Sequence, residues 1–179
     1  MESEIQRMEN LIKDLLFLAE FGFSQKAEMV ALDFSKLVAV HVQDFHALHT
    51  GREVKTEIEP SLFIQGDHEH LARLLSNIFA NIDRHTPEDA PVRATLRTIG
   101  SKIDLVIEDG GPGLPITGYQ RDPQSFQRFD KARSREAGGS GLGMSIIFAI
   151  VHEHGGEIWL IQSDLGGLAA HITFDKLLM

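Results

Sequence analysis

The chain has 179 residues, 42% of them hydrophobic, which suits one domain of about 150 residues with an extension. Its 17 basic and 26 acidic residues give a net charge of −9, which argues against nucleic acid as a partner because nucleic-acid binders carry basic faces. The absence of cysteine excludes disulfides and cysteine-ligated metals. No apolar run approaches the roughly 20 residues of a membrane span, so we expect no membrane contact by this segment.

The first predicted element is a helix from residue 1 to about 20. Its apolar residues recur at helical spacing among charged ones: Ile5, Met8, Leu11, Ile12, Leu15, Leu16 and Leu18. A helix of this length is marginal alone in water, so we expect it to pack on the domain or on a second copy of itself. We assign residues 1–24 to this extension and its linker, and residues 25–179 to the main domain.

A helix over 33–49 and strands near 54–59 and 62–65 follow an irregular link at 21–29. Next comes a helix over about 67–85, with Asp67 as its predicted N-cap and one buried apolar stripe.

Two amide side chains, Asn77 and Asn81, lie one turn apart on the flank of that stripe. At this spacing they can offer carbonyl oxygens to a hard cation such as Mg²⁺ or to phosphate-bound water. A solvated helix edge is the alternative for such a pair taken singly. Arg84 and His85 continue along the same flank.

A predicted hairpin, with strands at 92–98 and 102–108, runs into the Asp-Gly-Gly-Pro-Gly segment at 109–113. Asp109 shares its phase with the apolar residues of a half-buried strand. A carboxylate pointing that way needs hydrogen-bond donors, and the exocyclic amine of a base is one. The alternative is an Asp that caps the glycine-rich turn through its own backbone.

Residues 110–140 contain prolines, glycines and arginines without periodicity, and we expect a lid there. The Gly-Gly-Ser-Gly-Leu-Gly segment at 138–143 then leads into an apolar helix over 141–153. Glycines expose backbone N–H groups and a helix N-terminus adds positive charge, a combination typical of a phosphate cradle. Strands at 157–162 and 169–174 end the chain.

Together these segments resemble the catalytic ATP-binding domain of bacterial sensor histidine kinases, in the Bergerat-fold (GHKL) superfamily that also holds DNA gyrase, MutL and heat-shock chaperone ATPases. Residues 77–87 resemble the N box, 109–113 the D-x-G-x-G box, 126–129 the F box, and 139–143 the second glycine box. The resemblance implies an α/β (α+β) two-layer sandwich, in which a mixed sheet packs on three helices, with an N-terminal helical extension.

The resemblance also implies roles for the matching residues. Asn81 would be the Mg²⁺ ligand, Asn77 would support the phosphates, and Asp109 would bind the adenine amino group. The other implied nucleotide-binding residues line the polyphosphate and ribose (Arg84, His85), shape the turn beside the base (Gly111, Gly113) or close over the phosphates (Gly139, Gly141, Leu142, Gly143). Three lid cations, Arg128, Lys131 and Arg135, would neutralise charge that develops in phosphoryl transfer. The implied catalytic residues are Asn77, Arg128 and Arg135.

One position bears on the reaction. The hydrolysing members of the superfamily carry Glu four residues before the Mg²⁺-binding Asn, where it acts as general base on water. This chain has Asn77 there, and an amide cannot take that proton. The resemblance therefore implies transfer of the γ-phosphoryl group to a protein residue rather than to water.

The phosphoacceptor histidine of this family lies in a helical hairpin, in a His-Glu-Leu-Arg-Thr-Pro-like segment that this chain lacks. Because residues 1–20 resemble the tail of that hairpin, we interpret the chain as part of a larger sensor kinase. The implied cofactors are ATP and Mg²⁺. The implied partners are the kinase's own phosphoacceptor hairpin, a response regulator reached through phosphohistidine, and a second copy in a full-length homodimer. We expect a cytoplasmic domain of a protein anchored in the cell membrane.

Two alternatives stay open. One is a protein-serine kinase of the anti-sigma type on the same fold, against which the hairpin-like residues 1–20 argue. The other is a nucleotide-dead interaction module. Asp83 would favour it by placing negative charge close to the site, as would residues 166–174, which lack the family's usual Gly-Thr pair before the last strand.

Overall fold

The computed structural model describes residues 4–23, 29–115, 119 and 142–178. In these ranges the chain forms four helices and seven strands. In chain order they are α1 (Glu4–Phe23), β1 (Val30–Asp33), α2 (Phe34–Leu48), β2 (Val54–Ile58), β3 (Phe63–Gly66), α3 (His68–His85), β4 (Val92–Ile99), β5 (Lys102–Asp109), α4 (Leu142–Glu153), β6 (Glu157–Gln162) and β7 (Leu168–Asp175).

The main sheet has five strands in the order β2-β4-β5-β7-β6. Only β2 and β4 run parallel; the other neighbours in this sheet are antiparallel, so the sheet is mixed. One face of the sheet shares a continuous apolar core with α2, α3 and α4. The central strands contribute buried side chains to this core, among them Ala94, Leu96, Ile103, Leu105, Ile107 and Ile172. This confirms the predicted two-layer sandwich of a mixed sheet on three helices.

The pairing of β4 with β5 brings residues 109–113, the predicted D-x-G-x-G box, close to the end of α3. Val92, the first residue of β4, stands opposite Asp109, the last residue of β5. Because β4 follows directly from the loop after α3, the end of α3 and the end of β5 lie close together. The predicted site residues of both segments therefore lie at one end of the sheet.

The sequence did not predict β1, which pairs with β3 in a separate two-stranded sheet. Only Leu32 of its four residues is buried. A strand this short with one buried side chain leaves no periodicity to detect.

The prediction that β5 is only half buried is wrong. Asp104 and Glu108, on the face turned away from the helices, are 4% and 7% exposed. Arg97 and Arg93 on the neighbouring strand pair with these carboxylates at 3.4 and 2.6 Å. Burial opposes the charge of Glu108, but the hydrogen bond and charge of Arg93 outweigh it, so the pKa of Glu108 lies below its usual value.

The N-terminal helix α1 packs on α3 and α4, and of its predicted stripe Leu18 packs against the core. Phe17 is buried, with the Arg73 guanidinium 3.9 Å from its ring centroid and His70 edge-on against it. Asp14 accepts a hydrogen bond from Arg73 at 2.8 Å. Met8 and Ile12 of the predicted stripe are more than half exposed. Within the described ranges, none of the helices combines the length and apolarity needed to cross a membrane.

Candidate functional site

Helix α3 positions the amide side chains of Asn77 and Asn81, the predicted site residues of this helix. Asp67 caps it by accepting a hydrogen bond from the His70 N–H at 3.0 Å, as predicted. The apolar stripe is buried as expected, and it consists of Leu71, Leu74, Leu75, Ile78, Phe79 and Ile82. Asn77 and Asn81 border this stripe and are half-buried, so their side chains sit where the protein can orient them.

The protein holds each amide through its nitrogen. Asn77 Nδ2 donates to the carbonyl oxygen of Arg73 at 2.9 Å, and Asn81 Nδ2 donates to Met144 Sδ at 3.4 Å. Both carbonyl oxygens meet at Gly143, where an added Cβ would lie 3.2 Å from Asn77 Oδ1 and 3.5 Å from Asn81 Oδ1. The structure thus places the N box against the first turn of α4.

Asp109 has one committed and one available oxygen. The residue is 6% exposed, and its Oδ1 accepts hydrogen bonds from the N–H groups of Gly111 at 2.9 Å and Leu168 at 3.3 Å. In the described part of the chain, no donor lies within hydrogen-bond distance of Oδ2. Asp109 therefore does cap the glycine-rich turn through Oδ1, and Oδ2 takes no part in this cap.

Glycines form the wall around this carboxylate. Gly111 packs on Thr86, whose Cγ2 would lie 2.6 Å from an added Cβ. Gly113 has a φ of +66°, a conformation that favours glycine. Gly167 approaches so closely that an added Cβ would overlap Asp109 Oδ1. Sequence reasoning missed Gly167, although the glycine pair at 166–167 is visible, because only the pairing of β5 with β7 brings it to Asp109.

A tyrosine from the segment 110–140, where we expected a lid, also borders this turn. The Tyr119 hydroxyl accepts a hydrogen bond from the Leu114 N–H at 2.8 Å and donates to the Gly167 carbonyl at 3.4 Å. It thereby links the segment after β5 to the turn before β7.

Three charged or titratable residues follow Asn81 in α3. Arg84 and His85 are exposed in the last turn of α3. Basic side chains are favoured there because the C-terminal end of a helix dipole is negative. Asp83 lies 2.8 Å from Nε2 of His49, which follows α2. Its carboxylate is therefore engaged by the α2 side of the domain, which weakens the argument that Asp83 disables the site.

Several predicted site residues lie outside the described residues: Arg128, Lys131, Arg135, Gly139 and Gly141, with the F box and most of the predicted lid. Leu142 lies within the described residues and is the half-buried first residue of α4. Among the described residues no group of three or more His, Cys, Asp or Glu could hold a metal ion. A cation at this site would depend on the amide oxygens and on the ligand's own phosphates.

Comparison with known proteins identifies the family of this chain. The family model described as "Histidine kinase-, DNA gyrase B-, and HSP90-like ATPase" matches residues 66–178. The probable sensor histidine kinase TcrY of Mycobacterium tuberculosis (strain ATCC 25618 / H37Rv) is 33% identical over 162 residues, covering 90% of this chain and 34% of the relative. The sensor histidine kinase CusS of Escherichia coli (strain K12) is 31% identical over 175 residues, covering 95% of this chain and 36% of the relative.

A solved structure agrees in fold. The mycobacterial sensor histidine kinase MprB matches with a TM-score of 0.71 and 26% identity, covering 84% of this chain and 99% of that one. This chain spans about a third of the length of the curated relatives TcrY and CusS. The matched residues 66–178 include both amides, Asp109 and the start of α4. The chain belongs to the family of histidine kinase-, DNA gyrase B- and HSP90-like ATPases, as a catalytic ATP-binding domain of the sensor histidine kinase type.

Proposed function

We propose that this domain binds Mg-ATP and transfers its γ-phosphoryl group to a histidine in the phosphoacceptor hairpin of a sensor kinase. The observation that carries the proposal is the convergence of the Asn77 and Asn81 carbonyl oxygens on Gly143 at the start of α4. This arrangement combines two oxygen ligands with the positive end of a helix, which together suit a metal-bound polyphosphate.

Asp109 would recognise the base. Its Oδ2 can accept a hydrogen bond from the exocyclic amino group of adenine, while Oδ1 stays fixed by Gly111 and Leu168. A base with a carbonyl oxygen at that position would place two acceptors against each other. The buried carboxylate would therefore select adenine nucleotides.

The N box and α4 would bind the phosphates. Asn81 Oδ1 would hold Mg²⁺, which when bound supplies positive charge to the phosphate oxygens. Asn77 is oriented by its hydrogen bond to the Arg73 carbonyl and would contact the phosphates directly. The cations Arg128, Lys131 and Arg135 remain our proposed counter-charges on the lid.

Asn77 also favours transfer over hydrolysis. Its amide cannot accept a proton from water, so the position that holds a general base in the hydrolysing relatives cannot activate water here. The γ-phosphoryl group would stay available to an imidazole nitrogen, which forms a bond to phosphorus as the bond to the leaving oxygen of ADP breaks. This proposal requires three partners: the acceptor hairpin, a response regulator and a second copy of the full-length protein. Because the reaction consumes ATP, we propose that it takes place in the cytoplasm.

The proposal can be tested by titrating the chain with ADP and with an ATP analogue plus Mg²⁺. We expect binding, and we expect Asp109→Asn to lower the affinity roughly 10- to 150-fold, because hydrogen bonds to charged groups contribute about 1.5 to 3 kcal/mol. The Asn amide can still accept from Gly111 through its oxygen, so thermal unfolding should change little.

Asp104→Asn is a matched control, because Asp104 is equally buried on the opposite face of β5. It should leave nucleotide affinity unchanged. Wild-type protein that binds no adenine nucleotide would favour the nucleotide-dead alternative. Unchanged affinity in Asp109→Asn would mean that Asp109 only caps the turn.

A further inference from the structure

Arg52 is a buried arginine in the connection between α2 and β2. It is 2% exposed, and none of the ion pairs among the described residues includes it. Instead its guanidinium donates to three oxygens: Thr86 Oγ1 at 2.8 Å, the Pro87 carbonyl at 2.9 Å and the Glu88 carbonyl at 3.2 Å. A buried charge is costly unless it is fully hydrogen-bonded, so these contacts must be maintained.

These three contacts hold the segment that follows α3. Thr86 is the C-cap of α3. Its hydroxyl, which accepts from Arg52, also donates to the Ile82 carbonyl at 2.7 Å. The positive guanidinium also lies at the negative end of the helix dipole. Arg52 thus fixes the end of α3 and residues 86–88 as one unit.

That unit supports the turn after β5. Thr86 Cγ2 packs against Gly111, whose N–H donates to Asp109 Oδ1. The Gly110 N–H donates to the Pro91 carbonyl at 2.9 Å, at the other end of the same loop. The contacts therefore run without a gap from Arg52 through Thr86 and Gly111 to the carboxylate of Asp109.

We infer that Arg52 is a positioning residue for base recognition, acting through Thr86 and Gly111 on the orientation of the Asp109 carboxylate. This inference rests on the proposed function, since it takes Asp109 Oδ2 as the acceptor for the adenine amino group. Lysine cannot replace Arg52, because an ammonium group lacks the planar set of donors that reaches three acceptors.

The test compares ADP with inosine diphosphate, which carries a carbonyl oxygen in place of the amino group, both without Mg²⁺. Wild-type protein should prefer ADP. Arg52→Lys and Arg52→Met should each lose roughly five- to tenfold of that preference, the scale of about one hydrogen bond. The affinity for inosine diphosphate should stay near the wild-type value, because its base lacks the exocyclic amino group that would donate to Asp109 Oδ2.

Ser35→Ala is the control for loss of stability alone. Ser35 is buried, donates to the Glu59 carbonyl and accepts from the Leu62 N–H, and touches neither Thr86 nor Asp109. It should lower the melting temperature and leave the ADP preference intact. If Arg52→Met does not fold, Thr86→Ser keeps the hydroxyl while removing the methyl group that contacts Gly111, and it should lower the preference in the same direction.

The outcomes separate this inference from the proposed function. If wild-type protein prefers ADP and the Arg52 variants keep the full preference, the positioning role is overturned and the proposed function stands. Equal losses for both nucleotides would also overturn it, because they indicate a structural role only. If wild-type protein binds both nucleotides equally, base recognition by Asp109 fails and the positioning role fails with it.

Discussion

Among the described residues, the side chains of Asn77, Asn81 and Asp109 each use one polar atom in hydrogen bonds to the protein and leave another without such a bond. The two amides use Nδ2, which donates to Arg73 and Met144, and the carboxylate uses Oδ1. Groups held in this way lose little rotational freedom when a ligand arrives. The protein alone therefore orients the atoms that our proposal assigns to the nucleotide.

Asn81→Ala should abolish the Mg²⁺ dependence of ATP binding, because the lost group is a proposed metal ligand. We expect the affinity for Mg-ATP to fall at least about tenfold, the scale found even for residues that only support metal ligands. The affinity for ADP without metal should change little. Parallel titrations with and without Mg²⁺ measure both effects.

Met144→Leu is the control for this variant, because it removes the sulfur that accepts from Asn81 and leaves the Asn81 carbonyl oxygen in place. It should keep the Mg²⁺ dependence. Equal losses in Asn81→Ala with and without metal would assign Asn81 to packing instead of metal binding.

Among the helices, α3 and α4 are joined at their far ends by a buried histidine. His154 follows α4; its Nδ1 donates to the Ile150 carbonyl at 2.8 Å, and its Nε2 accepts from the Asp67 N–H at 3.0 Å. Burial lowers the pKa of His154, outweighing the backbone hydrogen bond and the nearby Glu153, both of which raise it. The neutral ring thus fixes the two helices whose other residues, Asn81 and Gly143, meet at the site.

The stability of the domain should therefore fall as the pH drops below 6.5, the usual pKa of histidine. Between that value and the lower pKa of folded His154, the unfolded chain binds more protons than the folded chain, so the free energy of unfolding rises with pH. Urea unfolding at a series of pH values from about 3 to about 8 measures this slope, on the order of one proton at most.

His154→Gln keeps an acceptor for the Asp67 N–H but does not titrate, so it should flatten the slope below pH 6.5. Glu108 provides an independent reference. Its lowered pKa predicts a further loss of stability below 4.5, which the variant should retain. A slope unchanged by the substitution would mean that other groups carry the dependence.

Elements with a long periodic pattern were predicted well from the sequence, and short or locally packed ones were not. The 18-residue helix α3 and the β4–β5 hairpin agree with the structure to within about a residue at each end. In α1 the predicted stripe is largely exposed, because Phe17 packs between Arg73 and His70 instead. Such a contact depends on the tertiary arrangement, which helical spacing does not reveal.

Across the whole molecule, the motifs gave the nucleotide-facing residues but not those that hold them. Asn77, Asn81, Asp109 and Gly143 stand out because each belongs to a segment with a recognisable pattern. Arg52 has no such pattern, and its contact with Thr86 spans 34 residues of sequence. Long-range supporting contacts of this kind follow only from the assembled sheet and helices.

The products that the chain forms from ATP should show whether the γ-phosphoryl group is transferred to a protein or released by hydrolysis. On the proposed function the chain binds ATP, yet it should neither label itself nor release phosphate appreciably. No segment of its sequence matches the acceptor motif, so the acceptor imidazole that the reaction requires is not supplied by this chain, and Asn77 cannot activate water. Incubation with γ-labelled ATP, alone and with a separate protein carrying the parent kinase's acceptor hairpin, measures both reactions. The hairpin should acquire acid-labile phosphohistidine. Acid-stable phosphoserine would support the serine-kinase alternative. If the chain alone released phosphate as fast as the hydrolysing relatives do, the role given to Asn77 would be contradicted. Neither outcome would change the assigned fold.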